Sequence, residues 1–152
     1  MSNKSAVVLD ASTVLKFMFY DELLHVQAAA LMGKLIERGA KLYAPSIFAY
    51  ECDSVIRRHV HLKVLSPDDA QETRSLIAAL GIAVTYDANV LERAWEIANV
   101  YSRARTYDAT YAAFAEARSL DLWTADKHFY NAVKDGLPYV KYVGEFVAGR
   151  GK

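Results

Sequence analysis

Short apolar stretches alternate with longer segments of helical periodicity along this chain of 152 residues. The first stretch, Ala6 to Leu9, is apolar at every position, which is typical of a strand buried on both faces of a parallel sheet. Further strands are predicted at Lys41 to Ala44, Ile82 to Thr85 and Leu120 to Thr124, with a fifth, more exposed one at Tyr139 to Val143. This alternation favours an α/β fold of three layers, in which helices cover both faces of a mostly parallel sheet of about five strands.

Helix boundaries are marked by capping residues and glycines. Ser12 is a candidate cap for the first helix, and the acidic pair Asp21–Glu22 is suited to the start of the second. Ser66 followed by proline is a strong helix start. Gly39 and Gly81 come where two helical patterns stop, so both are predicted to end helices.

Length and composition limit the classes of protein to consider. The size suits one domain, which we expect over residues 1–147, with a loose polar tail at 148–152. Lys and Arg (18) balance Asp and Glu (18), so any nucleic-acid binding has to use a local basic patch. The single cysteine, Cys52, excludes an intramolecular disulfide and agrees with a reducing cytoplasm. No apolar run is long enough to span a bilayer, and no signal peptide is evident, so we expect a cytoplasmic protein.

Four acidic residues come where predicted strands end or helices begin. Asp10 follows the first strand, and Asp126 follows the fourth. Asp108 falls in the first turn of a predicted helix, where the positive end of the helix dipole favours an anion. Glu51 lies farther into a helix, and its longer side chain can reach inward. Because ligands bind beyond the carboxyl ends of parallel strands, we expect these four side chains to converge.

Convergence of carboxylates has an electrostatic cost. At roughly 6 Å and an effective dielectric constant of about 20, two carboxylates repel each other by about 3 kcal/mol. A group of four would protonate in part or separate unless a cation joined it. Carboxylate oxygens suit hard divalent cations, so the pattern predicts a Mg²⁺ or Mn²⁺ site. Such a site is typical of phosphodiester hydrolysis, which needs no Ser, Cys or His nucleophile.

The same residues carry a resemblance to a known family. The segment Val7 to Lys16, with Asp10 and Ser12, resembles the opening motif of PIN-domain ribonucleases. Three further segments resemble the family's other motifs in order along the chain; they are Pro45 to Glu51, Tyr107 to Tyr111, and Leu122 to Asp126. The size and the Tyr-Asp-Ala motif resemble the VapC-type toxins of prokaryotic toxin–antitoxin pairs.

This resemblance implies an α/β/α PIN-like fold and a Mg²⁺- or Mn²⁺-dependent endoribonuclease. It makes Asp10, Glu51, Asp108 and Asp126 the catalytic, metal-binding carboxylates. Ser12 and Thr124 become supporting polar groups. It also implies an RNA substrate, a homodimer, and a cognate antitoxin whose C-terminal segment covers the active site. Ser54 departs from the family pattern, which often has Asn at that position. The number of metal ions in the site, one or two, therefore remains open.

Several basic residues are candidate contacts to RNA phosphates. They are Arg57, Arg58, Arg103, Arg105 and Lys127. A solvated helix end is the competing interpretation for each arginine pair. The histidines lack metal-ligand spacing and are interpreted as surface or internally satisfied residues. Cys52 has no nearby base to activate it as a nucleophile.

Two other functions remain open at this point. A haloacid-dehalogenase-type phosphatase also begins with an Asp after a strand, but it needs a second Asp two residues later, where this chain has Ser12. A PIN-like module without catalytic activity, serving RNA binding or protein interaction, is the non-enzymatic alternative. The presence of all four carboxylates disfavours it, and failure to bind Mn²⁺ would favour it.

Overall fold

The computed structural model describes residues 6–147, which form five strands and seven α-helices around one sheet. The strands are all parallel, in the order β3-β2-β1-β4-β5, so β1 is central. Their bounds are β1 Ala6–Leu9, β2 Lys41–Pro45, β3 Ala83–Thr85, β4 Leu122–Thr124 and β5 Val140–Tyr142. The predicted α/β class, the strand number and the parallel arrangement are confirmed.

The helices cover both faces of this sheet. Their bounds are α1 Ala11–Met18, α2 His25–Glu37, α3 Ile47–His61, α4 Pro67–Ala79, α5 Leu91–Val100, α6 Tyr107–Ala117 and α7 Lys127–Val133. The chain moves outward from β1 through β2 to β3 and then crosses back to β4 and β5. Because crossovers between parallel strands are right-handed, the reversal puts α1 to α4 on one face and α5 to α7 on the other. The result is the three-layer arrangement that the sequence predicts.

The core lies on both faces of the sheet, between its central strands and the helices that cover them. Val8 and Leu9 are completely buried in β1, and Phe114 and Ala115 are completely buried in α6. This explains why β1 is apolar throughout, since a central parallel strand has no solvent-facing side. At the sheet edge, by contrast, all three residues of β3 are exposed.

Most helix boundaries follow the predicted signals. The Ser66 hydroxyl accepts a hydrogen bond from the Asp69 amide (3.0 Å) and caps α4. Gly39 and Gly81 adopt positive φ angles of 66° and 72° directly after helices, a conformation that costs glycine little.

Two predicted helix starts are wrong. Helix α2 begins at His25 and not at Asp21–Glu22, because Leu24 has a positive φ of 72° and the Glu22 carboxylate instead binds Lys16 (2.8 Å). Ser12 does not cap α1; Asp10 does, by accepting a hydrogen bond from the Thr13 amide (2.9 Å). Asp10 precedes the helix and has the extended backbone of an N-cap, whereas Ser12 already lies inside it.

The predicted tail at 148–152 lies outside the described residues. Within residues 6–147, the longest apolar helices fall short of what crossing a lipid bilayer requires.

Candidate active site

The carboxyl ends of β1 and β4 form one wall of a cleft of about 730 Å³. All four predicted acids line it, namely Asp10, Glu51, Asp108 and Asp126. They come from four different places in the chain. Asp10 directly precedes α1, and Asp126 directly precedes α7. Glu51 lies in the second turn of α3, and Asp108 lies in the first turn of α6. The parallel sheet thus brings together acids that are far apart in sequence.

Asp10 is the most constrained of these acids. It is buried, and its Oδ1 accepts hydrogen bonds from the Ser12 hydroxyl (2.7 Å), the Thr13 amide (2.9 Å) and the Thr13 hydroxyl (3.0 Å). Burial raises the pKa of this carboxyl, while its hydrogen bonds with Thr124, Ser12 and Thr13 act in the opposite direction. The contacts fix the orientation of the carboxylate before any ligand arrives.

Ser12 and Thr124 join the two central strand ends. The Ser12 hydroxyl, besides donating to Asp10, accepts a hydrogen bond from the Ala125 amide (3.0 Å). The completely buried Thr124 hydroxyl accepts one from the Asp126 amide (3.0 Å). The Asp126 carboxylate in turn accepts one from the Phe129 amide (3.0 Å) and so caps α7. These short-range bonds set the positions of Asp10 and Asp126 relative to each other.

Tyr111 joins helix α3 to the first strand–helix junction. Its side chain is 1 % exposed, and its hydroxyl donates to Glu51 Oε1 (2.6 Å) and accepts from the Ala11 amide (3.3 Å). Burial and the charges of Glu51 and Asp10 raise the pKa of Tyr111, so its hydroxyl stays protonated and keeps donating. The sequence placed Tyr111 near Asp108 but gave it no role; its spacing of three residues from Asp108 was the available signal.

The four carboxylates influence one another electrostatically. The pKa of Asp108 is raised to about 7, first by burial and then by the negative charges of Asp10, Asp126 and Glu51, with Arg103 acting in the opposite direction. Burial likewise raises the pKa of Glu51, with a smaller contribution from the charge of Asp10 and an opposing one from its hydrogen bond to Tyr111. The site is therefore an acidic cleft in which full ionisation is unfavourable without a cation.

The donor set fits a hard divalent cation in chemistry. It offers carboxylate oxygens, which such ions prefer, and its mutual repulsion is the kind that a cation relieves. As the side chains stand, no three Asp, Glu, His or Cys residues within 6–147 are close enough to hold an ion together. Small side-chain movements would be needed for joint coordination, and Glu51 and Asp108 are less constrained than Asp10.

The cleft extends beyond the acids between helices α1 and α3. Besides the acids, the cleft is lined by apolar, aromatic and charged side chains; they include Leu15, Lys16, Phe19, Glu22, Ile47, Tyr50, Val55 and His59. His59 was interpreted from sequence as a surface or satisfied histidine. Its Nδ1 does lie 2.8 Å from the Val55 carbonyl, but the ring also faces the cleft. The missed signal is the spacing of Glu51, Val55 and His59, which places all three on one face of α3.

The predicted phosphate contacts lie at different distances from the acids. Arg103 is near Asp108, whose pKa its charge lowers, and its guanidinium lies 5.9 Å from the centre of the Phe129 ring. Arg57 and Arg58 line a shallow groove that shares Ser54 with the main cleft. Lys127 is exposed beside Asp126, and Arg105 is exposed before α6. Cys52 is buried, and burial raises the pKa of its thiol to about 12, which agrees with its exclusion as a nucleophile.

A comparison with family models matches residues 7–135 to the PIN domain. The chain belongs to the PIN domain family. Comparison with curated protein sequences gives no significant match. The family assignment confirms the resemblance drawn from the four motifs.

Solved structures with a similar fold include several toxin–antitoxin proteins. The Mycobacterium tuberculosis toxin VapC20, described as cleaving the sarcin–ricin loop, is 14% identical with a TM-score of 0.65, over 88% of this chain and 98% of that one. A toxin–antitoxin complex from Klebsiella pneumoniae is 17% identical with a TM-score of 0.61, over 88% and 94%. Rickettsia felis VapBC2, bound to a promoter DNA fragment, is 13% identical with a TM-score of 0.62, over 90% and 96%. At these identities the likeness is one of fold, and it agrees with the predicted VapC-like architecture.

Replacing Tyr111 by Phe tests the link between α3 and the β1–α1 junction. The variant leaves the buried Ala11 amide without its acceptor and Glu51 without its donor, so we expect a loss of about 1–3 kcal/mol in the free energy of unfolding. Tyr139→Phe is the matched control, because its hydroxyl lies outside the cleft, where it donates to the Ala112 carbonyl (3.0 Å). Urea unfolding measures both. Equal, small losses would show that the Tyr111 bonds contribute little to holding the site.

Replacing Asp108 by Asn tests the cost of burying an ionised carboxylate beside the other three acids. A carboxyl with a pKa of about 7 in the folded protein and about 3.8 unfolded holds its proton longer when folded. Ionisation of Asp108 therefore destabilises the folded protein. This loss in the free energy of unfolding grows as pH rises from about 4 to 7 and is constant above that range. We expect the metal-free variant to match the wild type at pH 4 and to be more stable at pH 8 by on the order of 1–2 kcal/mol, allowing for partial solvent screening.

Thermal and urea unfolding across pH 4 to 8 measure this difference, with the exposed Asp135→Asn as control. A stability advantage that does not change with pH would contradict the assignment of the raised pKa to Asp108.

Proposed function

We propose that this protein is a metal-dependent endoribonuclease of the VapC toxin type. The observation that carries the proposal is the convergence of Asp10, Glu51, Asp108 and Asp126 in one cleft of a PIN domain. Membership of the PIN family supports a hydrolase acting on nucleic-acid phosphodiesters. The finer assignments, to RNA, to Mg²⁺ or Mn²⁺ and to a toxin, rest on the motif resemblance and on the fold of the structural neighbours.

Asp10 and Asp126 would be the principal groups holding the metal, with Glu51 and Asp108 completing the set. A divalent cation bound there supplies positive charge and activates water for hydrolysis at neutral pH. The side chains supply orientation: Asp10 is fixed by Ser12 and Thr13, and Glu51 by Tyr111. The pKa of Asp108 is about 7 in the metal-free site, and a bound cation would lower it and favour the ionised, coordinating carboxylate. The protein encloses the four acids on one side. RNA would therefore approach them from the open face of the cleft.

The proposed partners follow from the same relatives. Two of the structural neighbours are toxin–antitoxin assemblies, which supports a cognate antitoxin as the partner of this chain. An antitoxin segment covering the cleft would exclude RNA from the carboxylates. The homodimer and the cytoplasmic location remain parts of this proposal that the resemblance supports.

Basic residues near the cleft support an RNA substrate. Within residues 6–147, the arginines distant from the cleft mostly form ion pairs, as Arg74 does with Asp53 and Arg93 with Glu116. No ion pair engages Arg57, Arg58, Arg103, Arg105 or Lys127 in this part of the chain. Unpaired guanidinium groups beside an acidic cleft are suited to hold the flanking phosphates of a polyanion.

Asp10→Asn and Asp126→Asn test the catalytic proposal. Each substitution keeps the helix cap but removes a negative charge, so we expect cleavage of a mixed RNA pool in Mg²⁺ or Mn²⁺ to fall by at least about 100-fold. EDTA should abolish cleavage by the wild type. Asp135→Asn, an exposed acid outside the cleft, is the control and should cleave normally.

Cleavage that is undiminished in both cleft variants would remove these residues from the mechanism. If wild-type protein cleaves nothing, Mn²⁺ calorimetry distinguishes two cases: metal binding that is lost in Asp10→Asn supports the site, and no binding supports the inactive PIN-like module.

Salt dependence tests the arginines. The double variant Arg57→Ala/Arg58→Ala and the single variant Arg103→Ala should each raise KM, and the slope of log KM against log salt should fall by about one for each phosphate that the variant no longer binds. Arg38→Ala is the control, because Arg38 is also exposed but follows α2 and lines neither the cleft nor the groove of Arg57 and Arg58. An unchanged salt slope in the Arg57/Arg58 and Arg103 variants would show that their cations do not contact RNA.

A further inference from the structure

The half of the cleft farthest from the carboxylates contains a stacked pair of rings. Phe19, directly after α1, and His59, on α3, lie with ring centres 4.8 Å apart and planes inclined by only 11°. Both line the cleft, and neither is buried. The pair bridges the two helices that form this half of the cleft, and the proposed hydrolysis gives it no role.

The orientation of the His59 ring is fixed. A carbonyl oxygen can only accept a hydrogen bond, so the 2.8 Å contact with the Val55 carbonyl requires Nδ1 to carry the proton. The Phe19 ring holds one face of the imidazole. A ring that is already ordered loses little conformational entropy when a ligand packs on it.

The distance from the carboxylates suits a neighbouring nucleotide. His59 is eight residues after Glu51 on one helix, so at a rise of 1.5 Å per residue it lies about 12 Å farther along α3. On the other wall, α1 separates Asp10 at its N-terminal end from Phe19 at its C-terminal end. A phosphodiester at the carboxylates would therefore direct an adjacent part of the strand toward the ring pair.

We propose that Phe19 and His59 form a stacking subsite for an unpaired nucleobase that flanks the cleaved phosphodiester; this inference rests on the proposed ribonuclease function. Single-stranded nucleic acids are held by aromatic side chains on which bases stack, and a base has a flat face that matches this pair. Exposed Tyr50 and Tyr107 line the same cleft and add further aromatic surface. Lys16 and Glu22 form an ion pair at the edge of this wall, which makes the edge polar. A polar edge suits a nucleobase better than it suits a wholly apolar peptide segment.

Binding of two probes of equal charge tests the subsite. The first is a fluorescein-labelled, single-stranded 12-nucleotide RNA of mixed sequence, and the second is a ribose-phosphate chain of the same length without bases. Fluorescence anisotropy gives both affinities in Mg²⁺ with the Asp10→Asn background, so that the RNA stays intact. If a gel shows that RNA is still cut, the same affinities are measured in EDTA, and the proposed role of Asp10 fails separately.

We expect Phe19→Leu and His59→Ala to weaken binding of the base-bearing RNA by on the order of 10-fold. Affinity for the abasic chain should stay within about twofold, which also shows that the variants are folded. Trp95→Ala is the control, because Trp95 is 61% exposed on α5 and does not line the cleft.

Two outcomes would overturn the inference. Equal losses for both probes would show that the pair supports the cleft without contacting a base. Unchanged RNA affinity would leave the ring pair as a surface for a protein partner. Neither outcome affects the cleavage test at Asp10 and Asp126, so the two proposals fail independently.

Discussion

The site depends on one residue that caps a helix and faces an acidic cleft at the same time. Asp10 must accept the Thr13 amide for α1 to begin where it does, and the same carboxylate lies at the carboxyl end of the central strand. A buried carboxylate is tolerated here because Ser12 and Thr13 supply hydrogen bonds to its Oδ1. The Ser12 hydroxyl, one residue into the same helix, accepts a hydrogen bond from the Ala125 amide and adds a side-chain link to the backbone pairing of β1 with β4.

The remaining acids are held less firmly, and that difference has a physical reason. Each added carboxylate near Asp10 increases repulsion, as the pKa of about 7 at Asp108 indicates. Tyr111 offsets part of this by donating to Glu51. The Tyr111 hydroxyl stays protonated here because its pKa is raised. It therefore holds one Glu51 oxygen by a hydrogen bond without changing the charge of the site. The site thus combines one acid that accepts several hydrogen bonds, Asp10, with Glu51 and Asp126, which accept fewer.

Much of this could be predicted from sequence because the signals are local. The uniformly apolar β1 indicated a central strand, and acids placed directly after β1 and β4 indicated the edge at which they meet. The start of α2 was missed because a turn with positive φ at Leu24 and the pairing of Glu22 with Lys16 depend on neighbours in space. His59 was correctly expected to be satisfied within the protein, but its position in the cleft was missed for the same reason. Its stacking partner, Phe19, is forty residues away in the chain, and only the packing of α1 against α3 brings them together.

The proposed action of this acidic site on RNA requires nearby positive charge, although the net charge of the whole chain is zero. Lys and Arg are equal in number to Asp and Glu, so a general attraction for RNA is absent. The positions of the arginines differ in this respect. Arg74, Arg93 and Arg118 form ion pairs with acids away from the cleft. Arg103 lies beside Asp108 and forms no ion pair within the described residues. Local basic groups would then hold the strand by its phosphates, and the rings at the far end of the cleft would hold a base. Phosphate contacts and base stacking both tolerate any sequence, so a preference for particular RNAs would also need polar contacts to base edges.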